Sequence, residues 1–364
     1  MSVWATNLLR LLGASAALLL AAAMLNFAVD PLQLFRAATL SPPMYSDDVR
    51  MQNAGLIRSQ PFDTLFMGTS LAIHFRQSDI DRTLGGRSLK LTMQGSSSHE
   101  QVFVLEQALK LRLPRRIVWQ MDDWIFVDAP EIESDVYLPA GLYRRDAKGV
   151  AGYLFSGAMA RESALMLLRA IPAVTPVIDR FAKFSIGDVD DINTLARDAD
   201  VGSEYNAAKA MAAFAHITDP ARAGYLGEGY GHDPEVRNFE RDAIGLIERH
   251  PEVQFDIYFP PYSILQFVAM RDASPQTLGI VYGVTAHIAK RLVQYPNVRL
   301  FDFRGIKAIT HDLDNYGDVI HHSPAIDLKV LQMLANGEHR VDPAEPTASL
   351  DELKAQVEAY RVER

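Results

Sequence analysis

The chain has 364 residues, with 36 Lys and Arg against 45 Asp and Glu, a formal net charge of −9. That acidic balance excludes a general nucleic-acid binder, which needs a basic face to displace counterions. A hydrophobic content of 48% with 22% charged residues excludes a disordered chain, and the absence of cysteine excludes disulfides, thiolate zinc sites and a cysteine nucleophile.

The chain opens on an apolar run. Residues 11–29 carry no charge and are interrupted only by Gly13, Ser15 and Asn26. As a helix this run spans roughly 28 Å, about one hydrocarbon core. Arg10 precedes it and Asp30-Pro31 ends it, so residues 1–30 are expected to anchor the chain with its N-terminus inside and its bulk exported. A cleaved signal peptide is the rival reading, because Ala21-Ala22-Ala23 fits a small-residue cleavage pattern; a buried soluble helix is the third. No second run of that length follows, so at most one span is expected.

Residues 31–59, with Pro42-Pro43, are expected to form a connector. Five short apolar runs then read as buried strands: Thr64 to Gly68, Leu89 to Met93, Arg116 to Met121, Phe255 to Phe259 and Val298 to Phe303. Helical periodicity lies between them over Glu100 to Leu111, Asn238 to Arg249 and Thr277 to Tyr295. Strands alternating with helices predict an α/β fold, a mainly parallel five-stranded sheet of flavodoxin-like type covered on both faces. This domain is expected to cover residues 60–335. About 130 residues separate the third and fourth strands, too many for one crossover, so a helical insertion is expected over about 128–236. Within it Tyr153 to Phe181 and Ser203 to His216 look helical, and Asp188 to Asp200 reads as an acidic, solvated turn. In residues 336–364, Ser349-Leu350-Asp351-Glu352 fits a capping box opening a charged surface helix.

In an open α/β sheet, ligands bind beyond the carboxyl ends of the strands. The first strand runs into Gly68-Thr69-Ser70, which places Ser70 at a strand end near a helix start. The second runs toward Gln94-Gly95, where a glycine lets a backbone N–H approach a substrate oxygen. After the fifth come Tyr316, Asp318 and His321. Spacing of three brings the Asp318 carboxylate to the His321 imidazole in one tight turn. A serine hydroxyl needs a base, and the base needs an orienting group. Ser70, His321 and Asp318 supply those roles.

These blocks resemble the SGNH/GDSL-type hydrolases. Phe66-Met67-Gly68-Thr69-Ser70 is similar to their first block, with Thr69 where many members have Asp; Gly95 falls at the oxyanion-hole glycine of the second; Asp318-x-x-His321 fits the last. The apolar start, Val29-Asp30-Pro31 and the Tyr316-x-Asp-x-x-His ending are similar to membrane-anchored bacterial members, among them alginate O-acetylation and D-alanyl-lipoteichoic acid transfer proteins. The resemblance implies a single-pass protein of the bacterial inner membrane with its catalytic domain in the periplasm. It implies an O-acyltransferase or esterase acting on acyl esters, acetyl first, of a cell-surface polysaccharide. Ser70 would be the nucleophile, His321 the base and Asp318 its orienter, and a membrane-bound acyltransferase would be a partner. The family's third block is absent: Gln120-Met121-Asp122-Asp123 has no Asn to donate to an oxyanion. Gly95, Asp122 and Tyr316 are the candidate oxyanion or substrate-binding residues, although an ionised Asp122 facing the oxyanion would oppose its charge, and it can instead hold a loop.

Other residues have simpler readings. His311, Asp318, His321 and His322 could ligate a metal, but no tight ligand motif accompanies them, and no metal or other cofactor is expected. Pro260-Pro261-Tyr262-Ser263 reads as a rigid loop stop or a cleft lining, Arg76 as a solvated side chain or a contact to an anionic substrate group, and Trp119, Trp124 and Tyr143 could stack on sugars, with packing the simpler reading for Trp119 inside its strand. The alternative function is a catalytically weak glycan-binding or scaffold protein of a polysaccharide-modification system.

Overall fold

The computed structural model describes residues 2–40, 44–46, 48–127, 138–178, 184–186, 204–221 and 229–362. Pro42-Pro43, Asp188 to Asp200 and Ser203 lie outside them. The chain forms two compact units, Met1–Pro61 with Ile132–Ile192, and Phe62–Glu131 with Asn193–Arg364. The described strands are β1 (Met44–Ser46), β2 (Thr64–Met67), β3 (Ser88–Lys90), β4 (Arg116–Gln120), β5 (Phe184–Ile186), β6 (Gln254–Phe259) and β7 (Val298–Asp302).

In the first unit, helix Val3–Val29 is long and apolar enough to cross a membrane. It starts eight residues before the charge-free run and takes Arg10 into its length; the Ser2 hydroxyl accepts from Ala5 N at 3.3 Å to cap it. Asp30 ends it in the left-handed conformation, with φ 54°. The Asp30 carboxylate then accepts from the backbone N–H of Leu34, Phe35 and Arg36 at 2.8–3.0 Å and from the Tyr153 hydroxyl at 2.8 Å.

Residues 31–59, expected as a connector, carry core positions instead. Leu32 and Leu34 are buried, and helix Val49–Ser59 buries Ala54, Leu56 and Ile57. Apolar side chains at this density need cover. Gly55 shows how close that packing is: a Cβ there would stand 1.7 Å from the Leu32 carbonyl oxygen. Gly55→Ala is therefore expected to destabilise this unit by about 1–3 kcal/mol, read as a lower melting temperature by circular dichroism. β1 pairs antiparallel with β5. The helical stretch expected from Tyr153 divides into Ala147–Leu154, Gly157–Arg169 and Thr175–Ile178. The first break is made by Ser156, whose hydroxyl caps the second helix through Met159 N at 3.2 Å. Residues 179–181 lie outside the described part. Tyr143 is buried, its hydroxyl donating to Arg50 O at 2.7 Å, so it packs rather than offering a face to sugars.

The second unit holds a five-stranded, all-parallel sheet in the order β3-β2-β4-β6-β7. Leu65, Phe66, Ile117, Val118, Trp119, Phe255 and Ile257 are all fully buried, as expected when helices cover both faces. Trp119 donates to Gln101 Oε1 at 2.6 Å inside the core. The winding reverses between β2 and β4, which opens a crevice at the carboxyl ends of those strands.

Helix Ser98–Leu111 is opened by a reciprocal capping box between Ser97 and Glu100. The helix expected from Asn238 begins at His232 and passes through a π-turn at Glu240–Ile244. Helix Pro275–Leu292 covers the third periodic stretch. Helices Gln77–Leu84, Ile264–Ala273 and Pro324–Asn336 had no counterpart in the sequence reading. Ile264–Ala273 buries six of its first seven residues, from Ile264 to Met270 with Gln266 excepted, so it shows no amphipathic stripe. Helix Ala207–Ile217, expected in one insertion, sends Ala210 and Phe214 into this unit's core beside Leu265 and Val268.

The expected capping box at Ser349 does not form. Thr347 holds the cap position of helix Ala348–Ala359, and Ser349 lies within its first turn. Leu350, Leu353 and Val357 join the core, which makes this helix a packed element rather than a purely solvated one.

Candidate active site

Ser70 stands where β2 ends. Gly68 permits the turn: a Cβ there would meet the Ala72 Cβ at 2.7 Å and Gln120 Oε1 at 2.9 Å. The chain then enters a short 3-10 turn, Ser70–Ala72. The loop after β7 is pinned as a narrow hairpin, with Gly317 N donating to His321 O at 3.0 Å and Ser323 N to Asn315 O at 2.8 Å. Asn206 N donates to Tyr316 O at 3.0 Å, so a segment far away in sequence holds the same loop.

These two loops bring Ser70, His321 and Asp318 together. Ser70 Oγ lies 2.9 Å from His321 Nε2, and His321 Nδ1 lies 2.6 Å from Asp318 Oδ2. The other Asp318 oxygen accepts from Ile320 N at 2.8 Å and His321 N at 2.7 Å. The carboxylate therefore closes its own turn with one oxygen and orients the imidazole with the other. Burial pushes the Asp318 carboxyl up, but the hydrogen bond and charge of His321 and the two backbone donors hold it below its ordinary value. Burial pushes His321 down, while the hydrogen bond and charge of Asp318, with the charge of Asp122, carry it above its ordinary value. The side chains of His321 and Asp318 are 40% and 38% exposed, so the array is open to a reagent. Such an array can take a proton from a serine hydroxyl and return it to a leaving group.

Gly95 adopts φ +60° in an exposed turn, with open space where a Cβ would stand. Among the described residues, neither Gly95 N nor Ser70 N makes a hydrogen bond, which leaves both N–H groups available to an anion.

Asp122 does not face a substrate. It is 1% exposed. Its carboxylate accepts from Thr69 Oγ1 at 2.5 Å, the Tyr262 hydroxyl at 2.5 Å, and Gln120 Nε2 at 2.9 and 3.1 Å. It joins the ends of β2, β4 and β6 beneath the residue next to Ser70. Burial pushes its carboxyl up, and these hydrogen bonds oppose the rise. Asp123 beside it is pushed up to about 7 by burial and then by the charge of Asp122, with Arg304 opposing.

Tyr316, expected to line the site, is placed in the core. It is fully buried, and its hydroxyl donates to Pro261 O at 2.6 Å. Tyr262 likewise lies inside rather than along a cleft. The sequence reading did not foresee that Thr69, Gln120 and Tyr262 support the site through Asp122. Only Tyr262 carried a signal, its place after two prolines at a strand end.

His322 turns away from its neighbour. It is buried, 3.3 Å from Asp327, and burial pushes it down to about 4. Among the described residues no three His, Asp or Glu side chains are placed to hold a metal. His74 meets the Tyr205 hydroxyl at 3.2 Å, and burial with the charges of Lys90 and His321 lowers its pKa. His74, Arg76, Asp79, Asp327 and Leu328 are among the residues lining a cleft of about 240 Å³. No family model matches this chain, and no curated protein matches it.

Proposed function

We propose that this chain is a membrane-anchored, SGNH-like serine enzyme, an O-acyltransferase or esterase acting on acyl esters, acetyl first, of a cell-surface glycan. The observation that carries this reading is the relay Ser70–His321–Asp318, at 2.9 and 2.6 Å. Ser70 Oγ attacks the acyl carbonyl as His321 Nε2 takes its proton. The backbone N–H groups of Ser70 and Gly95 receive the oxyanion. His321 then protonates the departing oxygen, the ester C–O bond breaks, and an acyl-Ser70 ester remains. A sugar hydroxyl or water, deprotonated by His321, attacks the acyl carbonyl, the bond to Ser70 Oγ breaks, and His321 returns the proton to Oγ.

The strand order supports the reading. Counted along the sheet it is 2-1-3-4-5, the flavodoxin-like winding. Ser70 follows the first of these strands and His321 the last, on the edge where such sheets bind ligands. With Arg10 inside and Asp30 outside, the catalytic unit belongs to the periplasm of a bacterium, where a membrane-bound acyltransferase would supply acyl groups.

A fluorophosphonate should add once to the folded full-length protein in detergent, seen as one mass increment, and the adduct should be lost in Ser70→Ala. No adduct on the folded protein would favour the second reading, a glycan-binding or scaffold protein. That reading has one observation behind it: Asp122, at the third-block position, supplies no donor to an oxyanion.

A further inference from the structure

We infer that helix Gly157–Arg169 and the stretch after it, to residue 177, lie within the bilayer leaflet at the carboxyl end of the anchor, covered by lipid acyl chains. The inference rests on the reading that helix Val3–Val29 spans a membrane.

The anchor is exposed along most of its length but partly or fully buried at Ala22, Ala23, Leu25, Asn26 and Val29. Helices Ala147–Leu154 and Gly157–Arg169 pack against the anchor, and the bonds of Asn26 to Leu154, Ser156 and Ser163 put that contact at its carboxyl end. The charge-free run is bounded by Arg10 and Asp30, so it fills the hydrocarbon core with little room to slide. Ala22 lies about 10 Å inside the edge marked by Val29. Whatever packs beside Ala22 shares its depth.

Asn26 fixes the docking register. An amide inside hydrocarbon is costly unless paired. The Asn26 amide nitrogen donates to Leu154 O at 2.9 Å and Ser156 O at 3.0 Å, with a longer bond to Tyr153 O at 3.4 Å, and its oxygen accepts from Ser163 Oγ at 3.0 Å. Both the amide nitrogen and the oxygen are engaged by the helices it clamps.

The outward surface suits the same depth. Leu167, Leu168, Ile171 and Val177 are 38–53% exposed. Between residues 164 and 177 the only charge is Arg169. Arg161, nearer the helix start, is ion-paired with Glu162, as fits an end at the headgroup level. This apolar face continues the lipid-facing surface of the anchor, and acyl chains are what surrounds that surface.

The chain has no cysteine, so single labels can be placed freely. Full-length Leu168→Cys, Ile171→Cys, Leu19→Cys and Leu111→Cys, each carrying a nitroxide, would be reconstituted in phosphatidylcholine–phosphatidylglycerol vesicles. Collisions with oxygen and with a water-soluble nickel chelate would be measured. The labels at 168 and 171 should favour oxygen as the label at 19 does, with nickel access several-fold below that at 111. Water-like access at 168 and 171, with lipid-like access at 19, would overturn the inference while leaving the span intact. Spin–spin broadening at 168 that vanishes on dilution with unlabelled protein would overturn it in favour of a second copy. Water-like access at 19 would overturn the span and the inference together.

Discussion

His321→Ala is expected to slow fluorophosphonate modification of Ser70 by roughly 10³–10⁴-fold, because an unassisted serine hydroxyl is a weak nucleophile. Asp318→Asn should fall by a similar factor. It removes the acceptor at 2.6 Å that holds the Nδ1 proton and leaves Nε2 free to receive another. The double variant should be no slower than His321→Ala alone, since the two residues act as a unit. The pH profile separates this from a loss of packing. His321 must be neutral to accept a proton, and Asp318 holds its pKa above the ordinary imidazole value. The wild-type labelling rate should therefore rise with pH through a midpoint above that value. In Asp318→Asn the midpoint of the residual rate should move down. A midpoint that stays in place would remove Asp318 from the proposed role.

Asp122→Ala is expected to destabilise the second unit by about 3–5 kcal/mol, because it leaves the Thr69, Tyr262 and Gln120 donors buried and unpaired. In a unit of this size that corresponds to a fall of roughly 10 °C in melting temperature. Ser70 labelling should drop as well, since Thr69 is held by the same carboxylate. Tyr262→Phe removes one of the donors and should lower the melting temperature by a fraction of that amount. An Asp122→Ala protein that melts normally would mean that the carboxylate is no strut.

The meeting of Ser70, Asp318 and His321 was legible in the sequence because Ser70 follows the end of the first sheet strand directly and Asp318 and His321 lie in the loop after the last. Asp318 and His321 also declare their contact by spacing alone. The parallel sheet was legible for a similar reason, as short apolar runs between periodic helices. Burial by distant segments was not. Tyr316 is covered because Pro261 O meets its hydroxyl, and Asp122 because Tyr262 reaches it; neither pairing leaves a mark near the residue itself. Leu32 and Leu34 sit in a stretch that reads as a connector, and their cover comes from the helix of Gly55, which packs on the Leu32 carbonyl. Ile264–Ala273 escaped for the opposite reason, since a helix buried all round has no periodic contrast.

The interleaving of the two units bears on how the chain is made. The first unit begins with Met1–Pro61 but is completed only by Ile132–Ile192, after a piece of the second has been synthesised. β1 must wait for β5, and the far edge of β4 must wait for β6, while the N-terminal helix emerges first. Closing such loops is slow, because chain entropy is lost before any contact repays it. A nascent chain stopped at residue 131 would hold β2 between β3 and β4 with the far edge of β4 unpaired, a ready template for aggregation or a target for proteases. The first unit can close only once Ile192 has been made, and the second only at the end of synthesis.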